Sequence, residues 1–151
     1  MPLDRDVELD ELYREIILDH YRNPRNRGSL EEPSLSGEGD NPLCGDEVKL
    51  EVAVQGDRIA AVRFLGRGCS ISQASASMLT QAIMGLSLDE AEALFESFKG
   101  MMYGADQVDA ESLGDLEALQ GVRKFPVRVK CATLAWNVLQ EALDQYRKAK
   151  T

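Results

Sequence analysis

The amino-acid sequence predicts an α+β domain, with a small antiparallel sheet of about three strands packed against several helices. Three observations carry that prediction. Val48, Leu50, Val52 and Val54 alternate with Lys49, Glu51 and Ala53, the signature of a half-buried strand. "QGDR" then turns the chain into a second strand-like run, "IAAVRFLG". Helical periodicity brackets this hairpin on both sides, and strands paired with segregated helices make an α+β class.

The elements follow in chain order. Leu9, Leu12, Tyr13, Ile16 and Ile17 recur at helical spacing, and Asn23-Pro24 supplies the stop. Residues 23–42, "NPRNRGSLEEPSLSGEGDNP", concentrate Gly, Pro, Ser, Asn and acidic side chains and read as a long, partly mobile loop. After the hairpin, "SISQASASMLTQAIMG" predicts a buried helix that packs closely through its Ala and Ser face and ends at Gly85. Ser87 with Glu90 forms a capping box opening "LDEAEALFESFKGMM", followed by a shorter helical patch, "AESLGDLEALQ". The last helix, "CATLAWNVLQEALDQYRKAK", is apolar at Leu134, Val138, Leu139 and Leu143 and ends in cations, which suit a helix C-terminus. With 151 residues and 44% hydrophobic content, the expected organisation is one domain over residues 1–151.

Charge narrows the classes of partner. A formal charge of -9 gives a surface field opposite to the one nucleic acid requires, and leaves basic protein surfaces as partners. No apolar run approaches the roughly 20 residues that span a bilayer, and the acidic start "MPLDRDVELD" is unlike a secretory leader, so a cytoplasmic location without membrane contact is expected. Three cysteines, odd in number and widely spaced, argue for a reducing compartment and for free or metal-bound thiols.

All three cysteines fall at element ends. Cys44 precedes the first predicted strand, Cys69 lies between the second strand and its helix, and Cys131 opens the last helix. Strand and helix termini can converge at one edge of a small domain, and thiols near helix N-termini have lowered pKa values. Three thiolates suit a soft metal; Asp46, two residues from Cys44 across flexible Gly45, is the nearest fourth ligand for a tetrahedral site. The bland reading is three small buried hydrophobes, because no CxxC pair is present.

The segments "LYREIILDHYRNPRNRG", "GDNPLCGDE", "GRGCSISQASASMLT" and "FPVRVKCATLAW" together resemble the U-type iron–sulfur cluster assembly family of IscU, SufU and NifU N-terminal scaffolds. The resemblance runs from about Leu12 to the final helix. It is closest to the SufU-like branch: Lys130 stands where IscU-like members carry histidine, and the stretch from Phe98 to Gly121 is similar to that branch's insertion. It implies a SufE/NifU-like fold with a metal site at one edge. It further implies a protein that receives persulfide sulfur from a pyridoxal-phosphate cysteine desulfurase and serves downstream cluster carriers or apo-proteins, a scaffold or sulfur acceptor and not a stand-alone enzyme.

By matching motifs, the resemblance makes Cys44, Asp46, Cys69 and Cys131 the ligands of zinc, or alternatively of iron or a [2Fe-2S] cluster. It makes Cys131 the persulfide acceptor on the IscU pattern and Cys44 on the SufU pattern; this sequence favours the latter. A carboxylate beside soft thiolates is a labile ligand, so Asp46 is expected to keep the site exchangeable. Lys130 could lower the Cys131 pKa by proximity. His20, the single histidine, together with Tyr21 and Trp136, is expected to be structural, and "FPVRVK" to set the loop presenting Cys131.

Overall fold

The computed structural model describes residues 2–104 and 113–150, and its side chains over 11–104 and 113–149. Its elements run α1 (Pro2–Arg22), β1 (Leu35–Asn41), β2 (Asp46–Gln55), β3 (Arg58–Arg67), α2 (Ser70–Ile83), α3 (Leu88–Met102), a 3₁₀ helix (Gly114–Lys124) and α4 (Pro126–Lys150). The strands form one antiparallel sheet in the order β1-β2-β3.

The hairpin obeys its pattern. Val48, Leu50 and Val52 of β2 and Ile59, Val62 and Phe64 of β3 are buried on one face, while Glu47, Lys49 and Arg67 face outward. Gly56, at φ +64°, makes the turn that an L side chain resists.

The third strand lies inside the stretch expected to be a loop. Of residues 23–42, Leu35–Asn41 pairs with β2 from Leu35 opposite Val52 to Asn41 opposite Asp46. Its inward positions between Leu35 and Asn41 are glycines, because α4 crosses directly over them. A Cβ on Gly39 would meet Val138 at 2.8 Å, and one on Gly37 would meet the same side chain at 3.2 Å. A strand that buries backbone and not side chains shows no hydrophobic alternation.

The helices close the core from the sheet's inner face. α2 is buried along Ser72, Ala74, Ser75, Ala76 and Ser77, and the Ser75 hydroxyl donates to the Ala132 carbonyl of α4 at 2.6 Å. The predicted capping box is present on α3: the Ser87 hydroxyl accepts from the Glu90 N–H at 3.0 Å, and the Glu90 carboxylate accepts from the Ser87 N–H at 2.9 Å. Trp136 of α4 is fully buried, stacked on Phe95 and Phe98.

The helical patch around "AESLGDLEALQ" is a 3₁₀ helix from Gly114 onward; Ala110, Glu111 and Ser112 lie outside the described residues. His20 is buried as a structural clamp, its ring nitrogens 2.8 Å from the Ser77 hydroxyl and 2.9 Å from Asp115. Tyr21, expected to pack, is instead exposed. Among the described residues, no helix is long and apolar enough to cross a membrane.

Candidate metal and sulfur site

The site is assembled at the edge where β1 passes into β2. Asn41 ends β1 and its carbonyl accepts the Cys44 N–H at 3.2 Å, folding Pro42, Leu43 and Cys44 into a tight turn. Gly45 follows at φ +69°, a left-handed step that lets Asp46 enter β2 directly opposite Asn41. Cys44 and Asp46 therefore point into one corner from a single turn.

β3 delivers the next pair. Gly68 sits at φ +144°, and a Cβ there would lie 2.4 Å from Asp46 Oδ1, so only glycine permits the approach. The Cys69 N–H then donates to Asp46 Oδ1 at 2.8 Å. Cys69 is the N-cap of α2, its sulfur accepting the Ser72 N–H at 3.5 Å.

Cys131 comes from α4 and corrects the sequence reading. The helix starts at Pro126, where proline suits a first helical turn, so "FPVRVK" is mostly helix and Cys131 lies in the second turn, not at the start. The dipole argument for a lowered pKa accordingly does not apply to it. Burial first, then the crowding by Cys44, Asp46 and Cys69, pushes the Cys131 thiol far above its ordinary value in the metal-free protein.

Asp46 goes the other way. Its burial opposes ionisation, but the N–H of Cys69 together with hydrogen bonds from Cys131, Cys69 and Ser72 outweighs that cost and holds the carboxyl below its ordinary value. An ionised carboxylate thus faces the Cys131 thiol, which burial holds protonated.

The Cys44 sulfur, an Asp46 oxygen and the Cys131 sulfur lie within 4.8 Å of one another. Two soft sulfurs and one hard oxygen at that spacing fit a tetrahedral zinc or an iron site. Cys69 stands beside this group and not within it, its sulfur engaged as the α2 cap, although close enough to raise the Cys131 pKa. Cys44 is half-buried and Cys131 fully buried.

Two residues escaped the sequence reading. Arg128, exposed and three positions before Cys131 on α4, is the cation that feels the cysteines: the charge of Cys69, then the hydrogen bond and charge of Cys131, then the charge of Cys44 raise its pKa. Recognising Pro126 as a helix start would have placed Arg128 and Cys131 on one face. Lys130, the cation expected to act, is exposed among Met102, Tyr103, Gly104, Arg123, Pro126 and Val129 and is not among the causes of the Cys131 shift. The second is Asn41, whose amide lies 3.6 Å from the Cys131 sulfur and 3.5 Å from Asp46 Oδ2.

This corner can be compared with known proteins. Residues 12–151 match the family model of the NifU-like N terminal domain. The chain belongs to that family. It is 49% identical over 137 residues to the zinc-dependent sulfurtransferase SufU of Bacillus subtilis, covering 91% of this chain and 92% of that protein. It is 41% identical over 143 residues to the iron–sulfur cluster assembly scaffold protein IscU of Streptococcus pyogenes, covering 95% and 89%. Among solved structures, an iron–sulfur cluster assembly scaffold protein for the SUF system from Fervidobacterium islandicum superimposes with a TM-score of 0.81 at 37% identity, covering 85% of this chain and 94% of that one. The α+β fold with its three-stranded antiparallel sheet and the resemblance to the SufU-like branch are both borne out.

Proposed function

We propose that this protein works in iron–sulfur cluster assembly by accepting persulfide sulfur from a pyridoxal-phosphate cysteine desulfurase, with Cys44 as the acceptor, and passing it to downstream carriers or apo-proteins. The observation that carries the reading is the convergence of Cys44, Asp46 and Cys131 within 4.8 Å, with Cys44 the more accessible thiol. The 49% identity to a zinc-dependent sulfurtransferase supports zinc as the resident metal. Cys44, Asp46 and Cys131 would hold it, with Cys69 supplying the fourth donor from the neighbouring cap.

Bound zinc would keep its sulfur ligands in the thiolate form. The chain's own residues do the remainder. Cys44 rides on a turn bounded by Pro42 and Gly45 at the surface, where a partner's persulfide can reach it. In the transfer, the Cys44 thiolate attacks the outer sulfur of the desulfurase persulfide. A new S–S bond forms on Cys44, the old one breaks, and its electron pair leaves on the desulfurase cysteine as thiolate, with no net oxidation. Arg128 offers positive charge beside the thiols throughout. A reducing, cytoplasmic setting keeps all three free thiols available.

Elemental analysis of anaerobically purified protein, combined with acid-labile sulfide, tests this. About one zinc per chain is expected, lost in Cys44→Ala, Cys69→Ala and Cys131→Ala, with stimulation of desulfurase turnover by wild type only. Iron with equimolar sulfide would make the protein a [2Fe-2S] scaffold instead, and metal content independent of the cysteines would leave an inert fold.

A further inference from the structure

The three thiols of the site are not backed equally. Cys69 Sγ accepts the Ser72 backbone N–H at 3.5 Å, and Cys131 Sγ accepts the Asn41 side-chain N–H at 3.6 Å from inside the fold, with the exposed Arg128 guanidinium as a second partner from the solvent side. No N–H of the described residues donates to Cys44 Sγ. An amide that donates to a thiolate withdraws charge from sulfur and lowers its nucleophilicity, and such donors around metal ligands set how those ligands behave.

Asn41 is built into this position. It is the last residue of β1, paired opposite Asp46, and is 93% buried at a relative exposure of 7%. Its carbonyl anchors the Cys44 turn through the Cys44 N–H at 3.2 Å, while its amide reaches Cys131 at 3.6 Å and Asp46 Oδ2 at 3.5 Å. One residue thus touches three members of the site from a rigid strand end. Aliphatic or hydroxyl side chains at this position could not offer a donor at that reach, and an ionised Asp could not donate at all.

We infer that Asn41 is a positioning residue that decides which thiol reacts: its amide ties Cys131 down as a quiet ligand and leaves Cys44, without an N–H donor, as the one that takes sulfur. This deepens the sulfur-acceptor reading and rests on it. The selection operates on the protein alone, before any partner arrives, because the donors are part of the fold.

The test uses zinc-loaded protein and iodoacetamide, with the rate of labelling at each cysteine read by peptide mass spectrometry and the zinc-bound fraction selected by native mass spectrometry. In wild type, Cys44 labels first and Cys69 and Cys131 slowly. In Asn41→Ala and in Asn41→Asp, labelling of Cys131 rises about tenfold relative to Cys69, whose Ser72 donor is untouched. Cys131 remaining protected in Asn41→Ala would overturn the inference. So would protection retained in Asn41→Asp, which would assign Asn41 to packing, or a variant unable to hold zinc at any ratio, which would assign it to site formation and not selection. No desulfurase is present, so these outcomes are separate from the sulfur-transfer reading, which fails only if wild type binds no zinc or leaves the desulfurase unstimulated.

Discussion

β1 and β2 run side by side to the same corner, yet they bring residues there by opposite means. β2 buries Val48, Leu50 and Val52, so its contribution is hydrophobic area. β1 buries Leu35 and Asn41 at its ends with glycine at the two inward positions between them, so its contribution is closeness: α4 descends onto its backbone, with Val138 and Leu134 over Gly39 and Val138 and Ala142 over Gly37. The difference teaches that the sheet's stability and the site's geometry have separate origins. Side chains of the central strand hold the fold together, and missing side chains on the edge strand set how near Cys131 comes to Asp46.

That separation can be broken or sharpened by substitution. The largest loss of stability is expected from Leu50→Ala on β2, about 3 kcal/mol for a fully buried leucine, with zinc affinity per folded molecule unchanged. Denaturant unfolding and a chelator competition read the two quantities. Gly39→Val on β1 should cost less stability, about 2 kcal/mol from overpacking against Val138, but should also weaken zinc binding, because α4 and Cys131 are displaced. If Gly39→Val left zinc affinity intact, the division of labour between the strands would be wrong.

Smaller still is Asp46→Asn in the metal-free protein, which keeps an acceptor for the Cys69 N–H but removes the charge, a loss of about 1 kcal/mol at neutral pH. Folding lowers the Asp46 pKa, so its carboxylate stabilises the native state above the ordinary carboxylate range and that contribution is lost as pH falls through the lowered folded value. The gap between wild type and Asp46→Asn should therefore close in acid, below about pH 4, as thermal unfolding across pH would record. A gap that widened in acid would reverse the assigned direction. Least of all, Glu38→Thr on the outward face of β1 should change stability by less than about 0.5 kcal/mol and zinc binding not at all.

The same contrast explains what could be read from sequence. β2 and β3 were legible because apolar side chains alternate along them, and the α3 capping box because Ser87 and Glu90 stand at the spacing the backbone requires. β1 was hidden: "LSGEGDN" has the composition of a loop, and what makes it a strand is a helix contributed about 100 residues later in the chain. At the site, Cys44 and Asp46 were legible as one turn and Cys69 as an element boundary. The sequence pattern opens α4 at Cys131, five residues after its true start at Pro126, and Arg128 lies in the turn that this reading omits. Asn41 stood within the quoted motif "GDNPLCGDE", but its reach to Cys131, 90 positions away, exists only in three dimensions.

Trp136 sits five positions beyond Cys131 on the same helix, fully buried between Phe95 and Phe98, and it is the chain's single tryptophan. The helix that delivers a site thiol thus carries its own optical reporter at a fixed distance along the rod. Any lifting of α4 from the sheet would expose the indole to water and redden its emission, so the order of metal loss and helix release can be followed by light from the unmodified protein.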